Sequence, residues 1–283
     1  MKVRGMALPQ GWYPHSADGI NAFLENCSAG NSKVLINAHA ALAPHAGWYY
    51  SGRTAACSVS ALDRLAETIV VIGGHLSGGS PFLFAEEDGA ETPFGPMYID
   101  KELRESLKDK TNSASDSYRD NTVEVLLPMV RYFFPKARLL WARFPADLGA
   151  FDAGKMLAAS AQDLGRSIAV IGSTDLTHYG DNYGFSPKGS GPPALKWVRE
   201  ENDANFIKAV LSGDPARVLE RAEKDFSSCS AGAVLGAMGF AEAYIPARSK
   251  RQAKAELLEY STSADVSEGG IPDSFVGYAS IVF

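Results

Sequence analysis

Three cysteines in 283 residues, Cys27, Cys57 and Cys229, are too few and too odd in number for a disulfide framework, which fits a reducing compartment. No unbroken apolar run approaches the roughly 20 residues that a membrane span needs. The opening Met1 to Pro14 holds no apolar stretch of signal-peptide length. Basic residues cluster no further than Lys250-Arg251 and its surroundings, and the net charge is −6, so nucleic acid, whose binding needs a clustered basic face, is set aside as a partner. No segment recurs at a fixed period. A Gly-x-Ser-x-Gly nucleophile elbow is missing, and Gly73 to Gly79, although glycine-rich, lacks the lysine of a phosphate-binding loop. These absences leave the expectation of a soluble, cytoplasmic protein with no membrane and no nucleic-acid partner.

What is present is ordinary globular material. Apolar residues make up 46% of the chain and charged residues 21%, enough for a core without staples. No change in composition demands a boundary, so residues 1–283 are expected to form a single domain. Two runs, Thr68 to Gly73 and Ser167 to Ser173, are rich in β-branched residues and lack alternation. They read as strands buried on both faces of a parallel sheet. Ala40 to Ala43, Ala137 to Phe144 and the closing Val276 to Phe283 read as further strands. Helices are expected at Ser51–Arg64, Lys101–Leu107, Thr122–Phe134, Phe151–Leu164, Ala194–Leu211 and Pro215–Lys224, the last capped by Asp214 with Pro215 in its first turn. Val234 to Met238 reads as part of another, tightly packed helix. Tyr179 to Pro193 reads as a long surface loop. The whole is an α/β fold with a central, largely parallel or mixed sheet flanked by helices.

In such sheets ligands bind beyond the carboxyl ends of the strands. His45, His75 and Asp175 sit at such ends, and His178 follows close behind. Of five histidines, only His15 and His39 lack that setting, and they read as structural or surface residues. Asp175 and His178 are three apart; on a helical turn they would share a face, and the carboxylate would orient the imidazole as a general acid or base. Asp175 as a plain turn cap is the alternative. Cys229 stands among small residues that lead into a helix, where a thiolate is favoured; a buried apolar cysteine is the other reading, and the one taken for Cys27 and Cys57. Asp120 and Glu124 could reach the same region.

The stretch Pro44-His45-Ala46-Gly47-Trp48-Tyr49-Tyr50-Ser51-Gly52 resembles the Pro-His-Ala-Gly-Tyr-x-Tyr-Ser-Gly signature of the Memo family, with one aromatic exchange at Trp48. Further segments are similar and fall in the family's order. They are Gly11 to Pro14, Glu91 to Gly95, Val123 to Pro128, Ser173 to Tyr179, and Tyr260 to Val266 with Gly277 to Ala279. The resemblance implies a fold like that of class III extradiol dioxygenases. It implies a metal site of His45, His75 and Cys229 for a transition-metal ion, Fe(II) first, Cu or Zn otherwise, with Asp175 and His178 as the second pair of pocket residues. It also implies either a metal-dependent redox enzyme or a binding module that uses the same pocket for a peptide or small ligand. Partners implied are an AMMECR-type and a radical-SAM protein. Three positions depart from the family pattern: Gly73-Gly74 before His75, Ser230 after Cys229, and Asp120-Asn121 where the family has Glu-His. The last takes a polar candidate out of the pocket.

Overall fold

Two strand sequences, Thr68–Gly73 and Ile168–Ser173, lie side by side in parallel at the centre of a sheet, every one of their residues buried. Each apolar side chain taken fully out of water contributes roughly 1.5–3 kcal/mol, more than the roughly 1–2 kcal/mol that ordering its backbone costs. Such runs therefore settle where both faces are covered. In this computed structural model, which describes residues 1–28, 37–244 and 254–283, they are the middle of a mixed nine-stranded sheet. Lys250-Arg251 lies outside the described residues.

From one edge the strands run His178–Tyr179, Phe275–Val282, Ala40–Ala43, Ile168–Ser173, Thr68–Gly73, Arg138–Arg143, Phe82–Phe84 and Ser113–Ser115, with Glu256–Thr262 paired to Phe275–Val282. The four from Ala40–Ala43 to Arg138–Arg143 are parallel to one another. Phe275–Val282 and Phe82–Phe84 flank them antiparallel. A small second sheet joins Val3–Arg4, Gly89–Ala90 and Met97–Tyr98.

Alternate residues of the central strands face two separate cores. Val70, Ile72, Leu140 and Val170 pack with the helices Gly149–Asp163, Asp203–Ser212 and Ala231–Ala243. Ile69, Val71, Trp141 and Ile171 pack on the other face with Ala17–Ser28, Trp48–Ser60 and Leu127–Phe133. The sheet is thus flanked by helices on both sides. Among the described residues no helix is long and apolar enough to cross a membrane.

Several elements differ from their sequence expectation. The helix expected over Thr122–Phe134 is two pieces, Asn121–Glu124 and Leu127–Phe133, because Pro128 cannot donate its backbone N–H and stands in the first turn of the second piece. Ala194–Leu211 is interrupted by a π-helical turn, Val198–Asn202, between Pro192–Trp197 and Asp203–Ser212. Tyr179–Pro193 is not wholly loop: it opens on the strand His178–Tyr179 and contains a 3₁₀ turn at Asp181–Tyr183. The expected cap at Asp214 is present, its side chain accepting from the Arg217 N–H at 3.1 Å.

Candidate metal centre

Three parallel strands deliver their next residues to one place. Ala40–Ala43 leads through Pro44 to His45, Thr68–Gly73 leads through Gly74 to His75, and Ile168–Ser173 leads through Thr174 to Asp175. Cys229 stands just ahead of the helix Ala231–Ala243. The ligand atoms of His45, His75 and Cys229 all lie within 4.8 Å of one another.

Each group is fixed by a partner on its far side. His45 is buried; its backbone N–H donates to Asp175 Oδ1 at 2.7 Å, and its Nδ1 lies 3.0 Å from Ser173 Oγ. That leaves Nε2 toward the cluster, 3.3 Å from Cys229 Sγ. His75 is held through Nδ1 by Asp120 Oδ2 at 3.0 Å, which leaves its Nε2 for the cluster. The two imidazole rings meet edge to face, centroids 5.0 Å apart. Cys229 and Asp175 exchange backbone contacts: the Asp175 N–H donates to Cys229 Sγ at 3.3 Å, and the Cys229 N–H donates to the Asp175 carbonyl at 3.2 Å.

The electrostatics describe a site that holds positive charge. Burial pushes the Cys229 thiol up, but His45 and His75, with His178 further out, bring it well below the usual thiol value. Burial pushes His45 down, and Asp175 and Cys229 outweigh it, so it is raised. His75, despite burial, is pushed up to about 10 by Asp120 and Cys229. A thiolate flanked by two imidazoles that attract protons is a donor set in which a metal cation can replace those protons. Two nitrogens and a sulfur suit Zn, Cu or Fe. The residues present therefore fit a transition-metal ion.

His45, His75, Asp175 and Cys229 are together, as expected. His178 is on the same side but is arranged otherwise than the helical turn predicts. The segment from Thr174 to Thr177 is not helical: the Leu176 N–H and the Thr177 carbonyl bond to Gly277 of the neighbouring strand. His178 Nδ1 faces the Leu176 carbonyl at 3.1 Å, so it is this carbonyl that sets the tautomer. A nitrogen facing a carbonyl carries the proton, so the neutral ring keeps its lone pair on Nε2. Asp175 instead secures His45. Thr177, between the two, is held by buried Asp203, which accepts from the Thr177 N–H at 3.1 Å and from the Tyr260 hydroxyl at 2.7 Å. Burial, partly offset by these bonds, pushes the Asp203 carboxyl up to about 6. Glycine at 277 makes room for it: a Cβ there would stand 2.0 Å from Asp203 Oδ2.

Glu124 is not part of the site. Its carboxylate accepts from the Ala7 and Leu8 N–H groups and from the Tyr13 hydroxyl, all at 2.8–3.0 Å, and so ties down the N-terminal segment. Asp120-Asn121, the departure expected to cost the pocket a polar group, supplies two. Asp120 holds His75, and Asn121 Nδ2 donates to the His45 carbonyl at 3.1 Å. His15 lies tilted against Tyr13, ring centroids 4.9 Å apart, and His39 lies tilted against Tyr244 with its Nδ1 4.0 Å from Asp63 Oδ2. Arg143 was missed by the sequence reading, and Ser173 was placed at its strand end without a role. Ser173 carried no signal beyond its place at a strand end. Arg143 did carry one, since a charge inside an apolar strand must be paired.

A model of the family described as Memo-like protein matches residues 4–282. The chain belongs to the Memo family. A MEMO1 family protein of Pyrococcus abyssi is 34% identical over 89% of this chain and 88% of its own. One of Thermococcus onnurineus is 33% identical over 99% of each, and one of Methanosarcina barkeri 32% identical over 99% of each. Among solved structures, an uncharacterized protein of Escherichia coli K12 shares the fold, with a TM-score of 0.50 over 85% of this chain and 98% of its own at 14% identity.

Proposed function

We propose that this Memo-family chain is a metal-dependent redox enzyme whose ion is held by His45, His75 and Cys229. The observation that carries the reading is the convergence of those three ligand atoms within 4.8 Å. Fe(II) is the first candidate, Cu or Zn the others; bound there, an ion would supply Lewis acidity and, for iron or copper, electron transfer. The chain's own groups then have defined tasks. His178 Nε2 is free to accept a proton from a substrate, its ring set by the Leu176 carbonyl. Asp175 fixes the backbone of His45. Asp120 and Ser173 keep the Nδ1 atoms of the two imidazoles occupied, so that the Nε2 atoms are presented together.

A second reading keeps the pocket for binding a peptide or small ligand without turnover. It is favoured by the exposed rings of Tyr49 and Tyr50, which follow His45 closely in sequence, and of Tyr183 against His178. The first test is metal content of the protein purified without a histidine tag, followed by equilibrium dialysis against Fe(II), Cu(II) and Zn(II). Wild type should take up one equivalent, and the double variant His45→Ala, His75→Ala none. Equal uptake by both places the ion elsewhere. Dioxygen consumption by metal-loaded protein separates the redox reading from the binding reading.

A further inference from the structure

Arg143 ends an apolar strand, and its side chain is only 5% exposed. A guanidinium removed from water to that extent must find partners for its donors. Those partners point one way. Its Nε donates to the carbonyl of Gly74, the residue before His75, at 2.9 Å. Its Nη2 lies 3.3 Å from Asp120 Oδ2, the same oxygen that receives His75 Nδ1 at 3.0 Å. Its Nη1 lies 3.5 Å from Asp116 Oδ1, and Asp116 is anchored in turn by the Trp141 indole N–H at 2.9 Å. One planar group therefore grips both the peptide that precedes His75 and the carboxylate beside its ring.

Two further observations say why a grip is needed. His75 has a φ of 57°, in the left-handed region that a side-chain-bearing residue seldom holds unaided. Arg143 is paired in register with Gly73, and a Cβ on Gly73 would stand 2.1 Å from Thr122 Oγ1 and 3.1 Å from Arg143 Cγ. The glycine leaves room for the arginine stem and for Thr122, whose N–H and hydroxyl fix the other oxygen of Asp120.

We propose that Arg143 is a positioning residue of the metal site: through Gly74 and Asp120 it sets the backbone and the ring of His75, so that Nε2 faces His45 and Cys229. The inference rests on the metal reading of that site. A lysine could keep the charge but not the fork, because an ammonium is a point charge without fixed donor directions.

The test uses the full chain and Co(II) as the probe, by competition with a chromophoric chelator and by the visible spectrum of the bound ion. Arg143→Lys is expected to weaken Co(II) binding about tenfold, the low end of what loss of an outer partner costs a metal site, and to alter the spectrum. Asp120→Ala should do the same. Arg4→Lys touches Asp116 but neither Gly74 nor Asp120, and should change neither affinity nor spectrum. Should Arg143→Lys fail to fold, Asp120→Ala, which leaves Arg143 on Asp116, carries the test. A metal-free arm follows the His75 Nδ1–H proton by NMR of the ¹⁵N-histidine-labelled chain. That proton should exchange slowly in wild type and faster in Arg143→Lys and Asp120→Ala. Unchanged exchange in these variants, or unchanged Co(II) affinity and spectrum, overturns the proposal. A wild type that takes up no Co(II) ends the metal reading by itself, and the exchange rates still decide whether Arg143 fixes His75.

Discussion

Cys229 is the residue at which two opposed effects can be separated. Burial raises a thiol, and it is the largest effect at Cys27 and Cys57, both of which are raised. At Cys229 the same burial is overcome by His45 and His75, and the thiol falls well below its usual value. Reactivity follows the thiolate, and Cys229 is partly exposed, so a reagent can reach it. In metal-free protein Cys229 should therefore be alkylated by iodoacetamide faster than the other two, as read by peptide mass mapping. Zn(II) should protect it while leaving Cys27 and Cys57 as they were. Equal labelling of Cys229 with and without metal would remove it from the ligand set. This residue also shows what sequence can tell. Its small neighbours announced a helix start, but the two imidazoles that lower its pKa come from strands far along the chain. The reverse happened at Asp175 and His178. Their spacing suggested a helical pair, while Leu176 and Thr177 bond instead to Gly277 and the segment is not helical.

At the scale of elements, the helix Ala231–Ala243 illustrates how composition sets approach distance. From Ala231 to Phe240 it is apolar all round, and each of these residues is buried. Two of its three glycines, Gly232 and Gly239, meet backbone, while Gly236 meets the side chains of Phe144 and Ile72. A Cβ on Gly232 would stand 2.2 Å from the Pro145 carbonyl oxygen, and one on Gly239 1.9 Å from that of Phe151. The facing helix Gly149–Asp163 contributes Gly154, where a Cβ would stand 2.1 Å from the Gly236 carbonyl oxygen. Backbone atoms cannot swing aside, so Gly154→Ala must push the two helices apart. The expected loss is about 3 kcal/mol, the upper part of the range for overpacking, measured by urea unfolding. Gly5→Ala, with nothing within 4 Å of the added carbon, should stay within about 0.5 kcal/mol. Because Cys229 lies just before the helix, Gly154→Ala should also weaken Zn(II) uptake; a variant as stable as wild type would contradict the packing argument. Packing also decides which elements were legible. Thr68–Gly73 and Ile168–Ser173 are buried on both faces, so their sequences carry the pattern themselves. Phe82–Phe84, Ser113–Ser115 and Glu256–Thr262 are not among the four parallel strands, and their residues are mixed in burial. Strand pairing, not local preference, makes them strands. The helix Ala17–Ser28 joins the same core as Trp48–Ser60 through Ile20, Phe23, Leu24 and Cys27, a helical spacing that the sequence reading passed over.

The whole molecule assembles the site from distant parts of the chain. His45 and Cys229 are 184 positions apart, and His45 and Asp175 130. The unfolded chain therefore offers no comparable set of ligands, and an ion that binds the site binds the folded state almost exclusively. By mass action such an ion stabilises the fold by about 2.7 kcal/mol at a free concentration one hundred times its Kd. For a chain of this length that corresponds to a rise in Tm of roughly 5 °C. The expectation is that Zn(II) raises the Tm of wild type by this order and leaves that of His75→Ala nearly unmoved. Mg(II) prefers an octahedral set of oxygens and should do nothing to either. A His75→Ala variant stabilised by Zn(II) as much as wild type would mean that the ion acts at some other place. A wild type stabilised equally by Mg(II) would mean that the effect is one of general charge screening on a chain of net charge −6. The comparison is informative because the three ligands come from three different loops. Removing one leaves the sheet and both of its cores untouched, so any loss of the shift reports on the site and not on the fold.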